Sequence, residues 1–279
     1  MVKSNKKIQF FLILILLLVF LRVDYRFTNT IKCCSDEYDY FLHASTIALD
    51  FDLDYSNQNP RDFRYYNNGK NTPIGFIGSG ILSSPFLLFG NFLSKIFSED
   101  LKSEIFNFKI FFYSFSSVFY FFFSYFLLHK ILNLLKIKFN KYFLLLIFSG
   151  SGITYYAFER YGITHIYEVF TVTLIIYSSI RCYMSKNKKY NIHGILLPIF
   201  LLIAFLTRMS NFYIFLIPLI IKNILIKNQI LIKQSILKDF YFLGSALVNS
   251  IIYYFISKSL YGELIFNPQK IYGTNIDVV

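Results

Sequence analysis

Eight apolar segments, each close to the length that crosses a bilayer, take up most of this chain. They run over Ile8–Val23, Ile74–Phe97, Ile105–Leu128, Tyr142–Phe158, Thr164–Arg181, Ile192–Thr207, Ser210–Leu225 and Phe240–Leu260. With 279 residues, 55% of them hydrophobic, and a mean hydropathy of +0.49, the chain is too apolar for an ordinary soluble domain. A polytopic membrane protein is expected. Its net charge of +12 needs no nucleic-acid partner, because Lys and Arg collect in the cytoplasmic loops of membrane proteins. Cys33, Cys34 and Cys182 form neither a disulfide framework nor a zinc spacing.

The basic residues decide how the segments thread. Lys3, Lys6 and Lys7 precede the first segment, and Arg22, Asp24 and Arg26 follow it in place of a small-residue cleavage site. This predicts an uncleaved first span with its N-terminus in the cytoplasm. If all eight segments cross, three Lys-rich loops fall outside. One holds Lys130, Lys136, Lys138 and Lys141, the next Arg181, Lys186, Lys188 and Lys189, and the third Lys222, Lys227, Lys233 and Lys238. That inverts the positive-inside rule. Removing Ile74–Phe97 from the set of spans restores it everywhere. This segment contains Gly75, Gly78, Gly80, Pro85 and Gly90, a composition suited to an interfacial or re-entrant helix. The expected fold is an all-α polytopic membrane protein forming a single membrane domain over residues 1–279. It has about seven transmembrane helices, with amphipathic and interfacial helices in a first external loop over 24–104.

That loop carries the most acidic stretch of a basic chain, Lys32–Asp54, with Asp36, Glu37, Asp39, Asp50, Asp52 and Asp54. Phe41, Ala44, Ile47, Ala48 and Phe51 recur at roughly helical spacing, which predicts an amphipathic surface helix with Asp36 and Glu37 at its start. The plain alternative is helix capping by Ser35 and the acids behind it. Lys70, just before Pro73, is a cation at the external boundary, placed either to hold a phosphate or to snorkel. Arg61 and Arg64 are weaker candidates. In Glu159-Arg160-Tyr161-Gly162-Ile163-Thr164-His165, a tight external turn leads into a span whose first turns carry His165 and Glu168. Ionisable residues inside a span mark functional sites or structural pairs, here Arg160–Glu168 or His165–Glu168. Arg208 falls on the same side, to meet a phosphate or anchor the boundary. His129 and His193 fall on the cytoplasmic side. No nucleotide-binding Gly-rich loop, nucleophile elbow, HExxH or CxxC is present.

In this order the residues resemble the C-superfamily (GT-C) of membrane glycosyltransferases, which includes bacterial protein mannosyltransferases and lipid A aminoarabinose transferases. The likeness lies in an Asp36-Glu37-Tyr38-Asp39-Tyr40-Phe41 run followed by Leu49-Asp50-Phe51-Asp52-Leu53-Asp54, then Lys70 ahead of Pro73 and a Gly/Pro-rich helix. Tyr156-Ala157-Phe158-Glu159-Arg160, Leu206-Thr207-Arg208 with Asn211, and Tyr261-Gly262-Glu263 with Asn267-Pro268 are similar to later segments of that family. The chain departs from the pattern at Thr164-His165, where many members carry an Asp, and at Asn71-Thr72, where some have Lys-Pro-Pro. Members are usually longer, so a truncated member is also expected. The resemblance implies a bacterial inner-membrane enzyme, its active site external, that moves a sugar from a polyprenyl-phosphate donor to a lipid, glycan or protein acceptor. Asp36 would be the base with Glu37 as its neighbour. Lys70, Arg160 and Arg208 would bind phosphate, with His165 and Glu168 beside them. A divalent cation bridging Asp and phosphate is compatible with this chemistry, though no spacing demands one. The rival classes are a transporter or flippase and an inactive membrane subunit.

Overall fold

The computed structural model describes residues 35–58, 65–67, 70–97, 107–185, 192–227, 236–267 and 270. The segment Ile8–Val23, the pair Cys33-Cys34, Arg61 and Arg64 lie outside that set, as does the side chain of Ser35.

A run of Phe, Tyr and Ser gives the longest helix. Asn107 caps it by accepting from the backbone N–H groups of Lys109 (2.9 Å) and Ile110 (3.4 Å). In chain order the elements are α1 (Ser35–Ser45, continued by a π turn over Thr46–Asp50), β1 (Tyr65–Asn67), β2 (Asn71–Pro73), α2 (Gly78–Phe97) and α3 (Phe108–Leu134). There follow α4 (Lys141–Ser149), α5 (Gly152–Phe158), α6 (His165–Met184), α7 (Ile192–Thr207), a 3₁₀ stretch (Met209–Leu216), α8 (Ile217–Lys227) and α9 (Ile236–Tyr261). Three of these, α2, α3 and the Asp239–Tyr261 part of α9, are long and apolar enough to cross a membrane.

The core lies between α3, α5 and α6, where Phe121, Ala157, Ile166 and Tyr167 are buried. Ser116, Ser117 and Tyr120 within it bond to the protein, as an apolar interior favours. Ser116 shares a hydrogen bond of 2.7 Å with the Tyr167 hydroxyl, and Ser117 donates to the Ala157 carbonyl (2.6 Å). Tyr120 donates to the Leu82 carbonyl (2.8 Å).

Two polar ends can be told apart. At one, Glu37 meets Arg160, Glu168 meets Arg208, and the Tyr261 hydroxyl donates to the Gly75 carbonyl (2.8 Å). At the other, Tyr183 donates to Asp239 (3.1 Å), Lys222 pairs with Asp239, and Tyr125 reaches the Lys141 carbonyl (3.1 Å). The helix α2 stays near the first end. It packs antiparallel on the leading half of α3, Tyr120 with Leu82, Phe115 with Phe86, Phe112 with Phe89 and Phe108 with Phe97. The Gly78 backbone, meanwhile, lies against Leu206 and Thr207 at the end of α7.

Among the described residues the fold is helical as expected, apart from a short hairpin in which Tyr65, Tyr66 and Asn67 pair antiparallel with Pro73, Thr72 and Asn71. Two expectations are corrected. The segment Tyr142–Phe158 is two helices, parted at Gly150-Ser151. Finally, α1 is enclosed rather than one-faced: Glu37, Asp39, His43 and Thr46 are as buried as Leu42 and Ala44. Glu37, His43 and Thr46 find partners within the fold, and Phe51, expected on its apolar face, ends the helix at φ +61° and is 74% exposed.

Candidate functional site

The first turn of α1 splits its acids. Asp36 is exposed, whereas Glu37 is 1% exposed and accepts a hydrogen bond of 2.8 Å from Arg160 Nε. The pair is separated by 123 residues and ties the first loop to the turn between α5 and α6. Gly162 makes this approach feasible, since a Cβ there would lie 2.8 Å from Glu37 Cβ. Tyr161 next to it is buried and packs edge-on against Tyr113 of α3, with centroids 6.1 Å apart. Arg160 is therefore engaged by a buried carboxylate. The pair fixes α1 against this turn, and Glu37 is withdrawn from solvent.

A second cluster stands at the start of α6. Glu168 Oε2 lies 3.5 Å from Arg208 Nη1 and 4.0 Å from His165 Nδ1. The His165 ring lies over Tyr156, with centroids 4.2 Å apart. Of the two pairs open from the sequence, His165–Glu168 is close, and Glu168 takes Arg208 where Arg160 was the alternative. Arg208 is 46% exposed, and its contact with Glu168 is long for a charge-assisted hydrogen bond. His165 and Glu168 also line a cleft of about 510 Å³ between α5 and α6, with Gly152, Ile153, Tyr156, Val169, Val172 and Thr173.

Lys70 is exposed beside the hairpin, and its charge reaches Asp54. Asp54 accepts from the Ser56 N–H (3.0 Å). That bond first, then a hydrogen bond from the Ser56 side chain, with the Lys70 charge a smaller contribution, hold its carboxyl below the usual range. The remaining acids of the loop shape it: Asp52 accepts from Thr46 and from the Asp54 N–H, and Asp50 accepts from Gln58 Nε2 (2.7 Å). Among the described residues no three His, Cys, Asp or Glu side chains converge as a metal site.

His43 was not singled out in the sequence, yet it is fully buried at the centre of the first loop. Its Nδ1 lies 2.6 Å from the Tyr55 hydroxyl and its Nε2 3.3 Å from the Gly75 carbonyl. A carbonyl only accepts, so the proton sits on Nε2 and Nδ1 accepts from Tyr55. Burial pushes its pKa down to about 4, with the Gly75 bond opposing. The only hint in the sequence was its place one turn after Asp39, amid residues that read as apolar spacing. The hairpin it supports is also bound to the C-terminal helix, since Thr72 Oγ1 donates to the Leu260 carbonyl.

No protein-family model, curated protein or solved structure matches this chain.

Proposed function

We propose that this chain is a membrane glycosyltransferase that takes a sugar from a polyprenyl-phosphate donor at the non-cytoplasmic face. In this reading seven spans cross the membrane: Ile8–Val23, α3, the α4–α5 pair, α6, α7, the 3₁₀ stretch with α8, and α9. The helix α2 is an interfacial helix of the first loop. The Lys-rich loops then lie inside and the two acid–arginine clusters outside, as the positive-inside rule requires.

The observation that carries the proposal is the Glu37–Arg160 pair, which brings the acidic loop to the same end as the Glu168–Arg208 cluster and the cleft. An acceptor hydroxyl or amine attacks the anomeric carbon, the bond from that carbon to the phosphate oxygen breaks, and the lipid phosphate leaves with the electron pair. Asp36, the exposed acid of the pair, takes the acceptor proton. Arg208 offers fixed positive charge to the departing phosphate, and Lys70 supplements it from the hairpin side. Glu37 and Arg160 position Asp36. The test is transfer of labelled sugar from a polyprenyl-phosphate donor in membranes. Asp36→Asn is expected to abolish transfer while the protein accumulates normally, and unchanged turnover would remove Asp36 from the role.

A flippase or transporter is the second reading. The break between α4 and α5 beside an open cleft favours it, because interrupted helices line transport sites. It predicts movement of a lipid-linked sugar across vesicles with no sugar transfer.

A further inference from the structure

The cleft between α5 and α6 is lined without being filled. Its residues on α6 run from His165 to Thr173, a rise of about 12 Å along the helix. Charge stops at the mouth, where Glu168 stands with His165 and Arg208 beside it. Val169, Val172 and Ile153 form an apolar trough below. A Cβ added at Gly152 would meet nothing within 4 Å, and Leu146, Ile147 and Tyr155 on the flank are exposed. A groove that is apolar below and charged at its rim suits a helix of matching pattern.

The segment Ile8–Val23, which lies outside the described residues, has that pattern. It carries no charge before Arg22, and Asp24 follows it. Ile15, Leu18 and Arg22 fall at i, i+3 and i+7, one face of a helix. Read in the opposite direction, Val172, Val169 and His165 have the same spacing on α6. Laid antiparallel, the two faces set Ile15 against Val172, Leu18 against Val169, and Arg22 against the rim with Glu168. The course of the chain agrees. Two residues after the start of α1, the Glu37 Cα lies 3.2 Å from where a Gly162 Cβ would be. Gly162 is three residues from His165, at most about 11 Å away. Residues 24–34 reach up to about 38 Å when extended, so Val23 meets the cleft mouth with slack. The exposed face of α9, with Leu247, Ile251 and Phe255, is the competing seat within the chain. It ends at exposed Lys258, a charge of the same sign as Arg22.

We propose that the cleft is the seat of the chain's own first segment, packed antiparallel to α6 with Leu16–Val23 in the trough and Arg22 beside Glu168. Arg208 is not among the residues that line the cleft, so it stays open above the seated helix. The trough is then closed to lipid, and the break between α4 and α5 borders no open path. The proposal rests on neither functional reading above, since Val23 is the end of the segment nearer to Ser35 whichever way the molecule faces.

Disulfide crosslinking of the full chain in membranes tests the seat, in a background with Cys33, Cys34 and Cys182 replaced. Val169→Cys or Val172→Cys is combined with a single cysteine at each position from 13 to 20. Products are read on non-reducing gels and by mass spectrometry of the linked peptides. The expected result is an intramolecular link at monomer mass. Its yield is highest near Leu18→Cys for the Val169→Cys probe and near Ile15→Cys for the Val172→Cys probe. The maximum therefore moves three residues towards the N-terminus as the probe goes three residues deeper. Arg22→Glu lowers both yields several-fold, and Arg26→Glu leaves them unchanged. Links formed only between two copies would give the cleft to a second chain. Yields no higher than with an exposed control on α9, Leu247→Cys, would give it to lipid. Either result overturns the proposal, as does a maximum that stays in place when the probe moves. Thr173→Cys, with its maximum expected near Leu14→Cys, replaces a probe that fails to accumulate.

Discussion

Glu37 and Arg160 show how neighbouring residues can part in role. Asp36 and Glu37 are adjacent acids, but helical rotation turns one to solvent and the other into the protein, where only an ion pair makes burial of a carboxylate tolerable. Removing one partner leaves the other charge buried, so Glu37→Gln and Arg160→Gln are each expected to destabilise by about 3 kcal/mol. The double change Glu37→Leu/Arg160→Leu should cost less than the sum of the single changes, and thermal denaturation in detergent reads this as a coupling energy. Gly162→Ala forces a methyl group to within 2.8 Å of Glu37 Cβ and should cost about 1–3 kcal/mol. His43 gives a pH signature. Its folded pKa of about 4 lies below its ordinary 6.5, so on acidification the unfolded chain binds a proton before the folded one does. Its contribution is full above 6.5 and is lost as the pH falls towards 4, on the order of 3 kcal/mol at most. His43→Gln should flatten the fall in melting temperature between pH 6.5 and 4.5. A fall of the same size in that variant would assign it to other groups. From the sequence the acids at 36 and 37 were legible as chemistry, but their opposite fates were not. Arg160 lies too far along the chain for periodicity to pair it with Glu37, and a histidine satisfied by a backbone carbonyl carries no motif.

At the scale of elements, α2 is long and apolar enough to cross a membrane, whereas the Lys-rich loops favour setting it apart from the spans. It packs along the leading half of α3, and its first residue abuts the end of α7. Gly78 is the contact that fixes this. An added Cβ would come within 2.2 Å of the Thr207 nitrogen, and backbone cannot move aside as a side chain can. Gly78→Ala is therefore expected to push α2 off α7 and to lower the melting temperature more than Gly152→Ala, which meets open space. Equal effects would contradict the packing of α2. The break between α4 and α5 was written in Ser149-Gly150-Ser151-Gly152 but was masked by the apolar residues on both sides, which together make up a span's length. The hairpin was masked too, because three-residue strands are too short to show alternation.

At the scale of the whole molecule, distant parts of the chain meet at one end. The first loop is held there by Arg160, the hairpin by Leu260 and Tyr261, and α2 by Thr207. The functional account depends on that end facing away from the cytoplasm. In a background with Cys33, Cys34 and Cys182 replaced, single cysteines at positions 36, 70, 208 and 138 can be challenged with a membrane-impermeant thiol reagent in intact cells. The account predicts that Asp36→Cys, Lys70→Cys and Arg208→Cys react from outside and that Lys138→Cys reacts only after the membrane is opened. A split among the first three, or reaction of Lys138→Cys in intact cells, would contradict it.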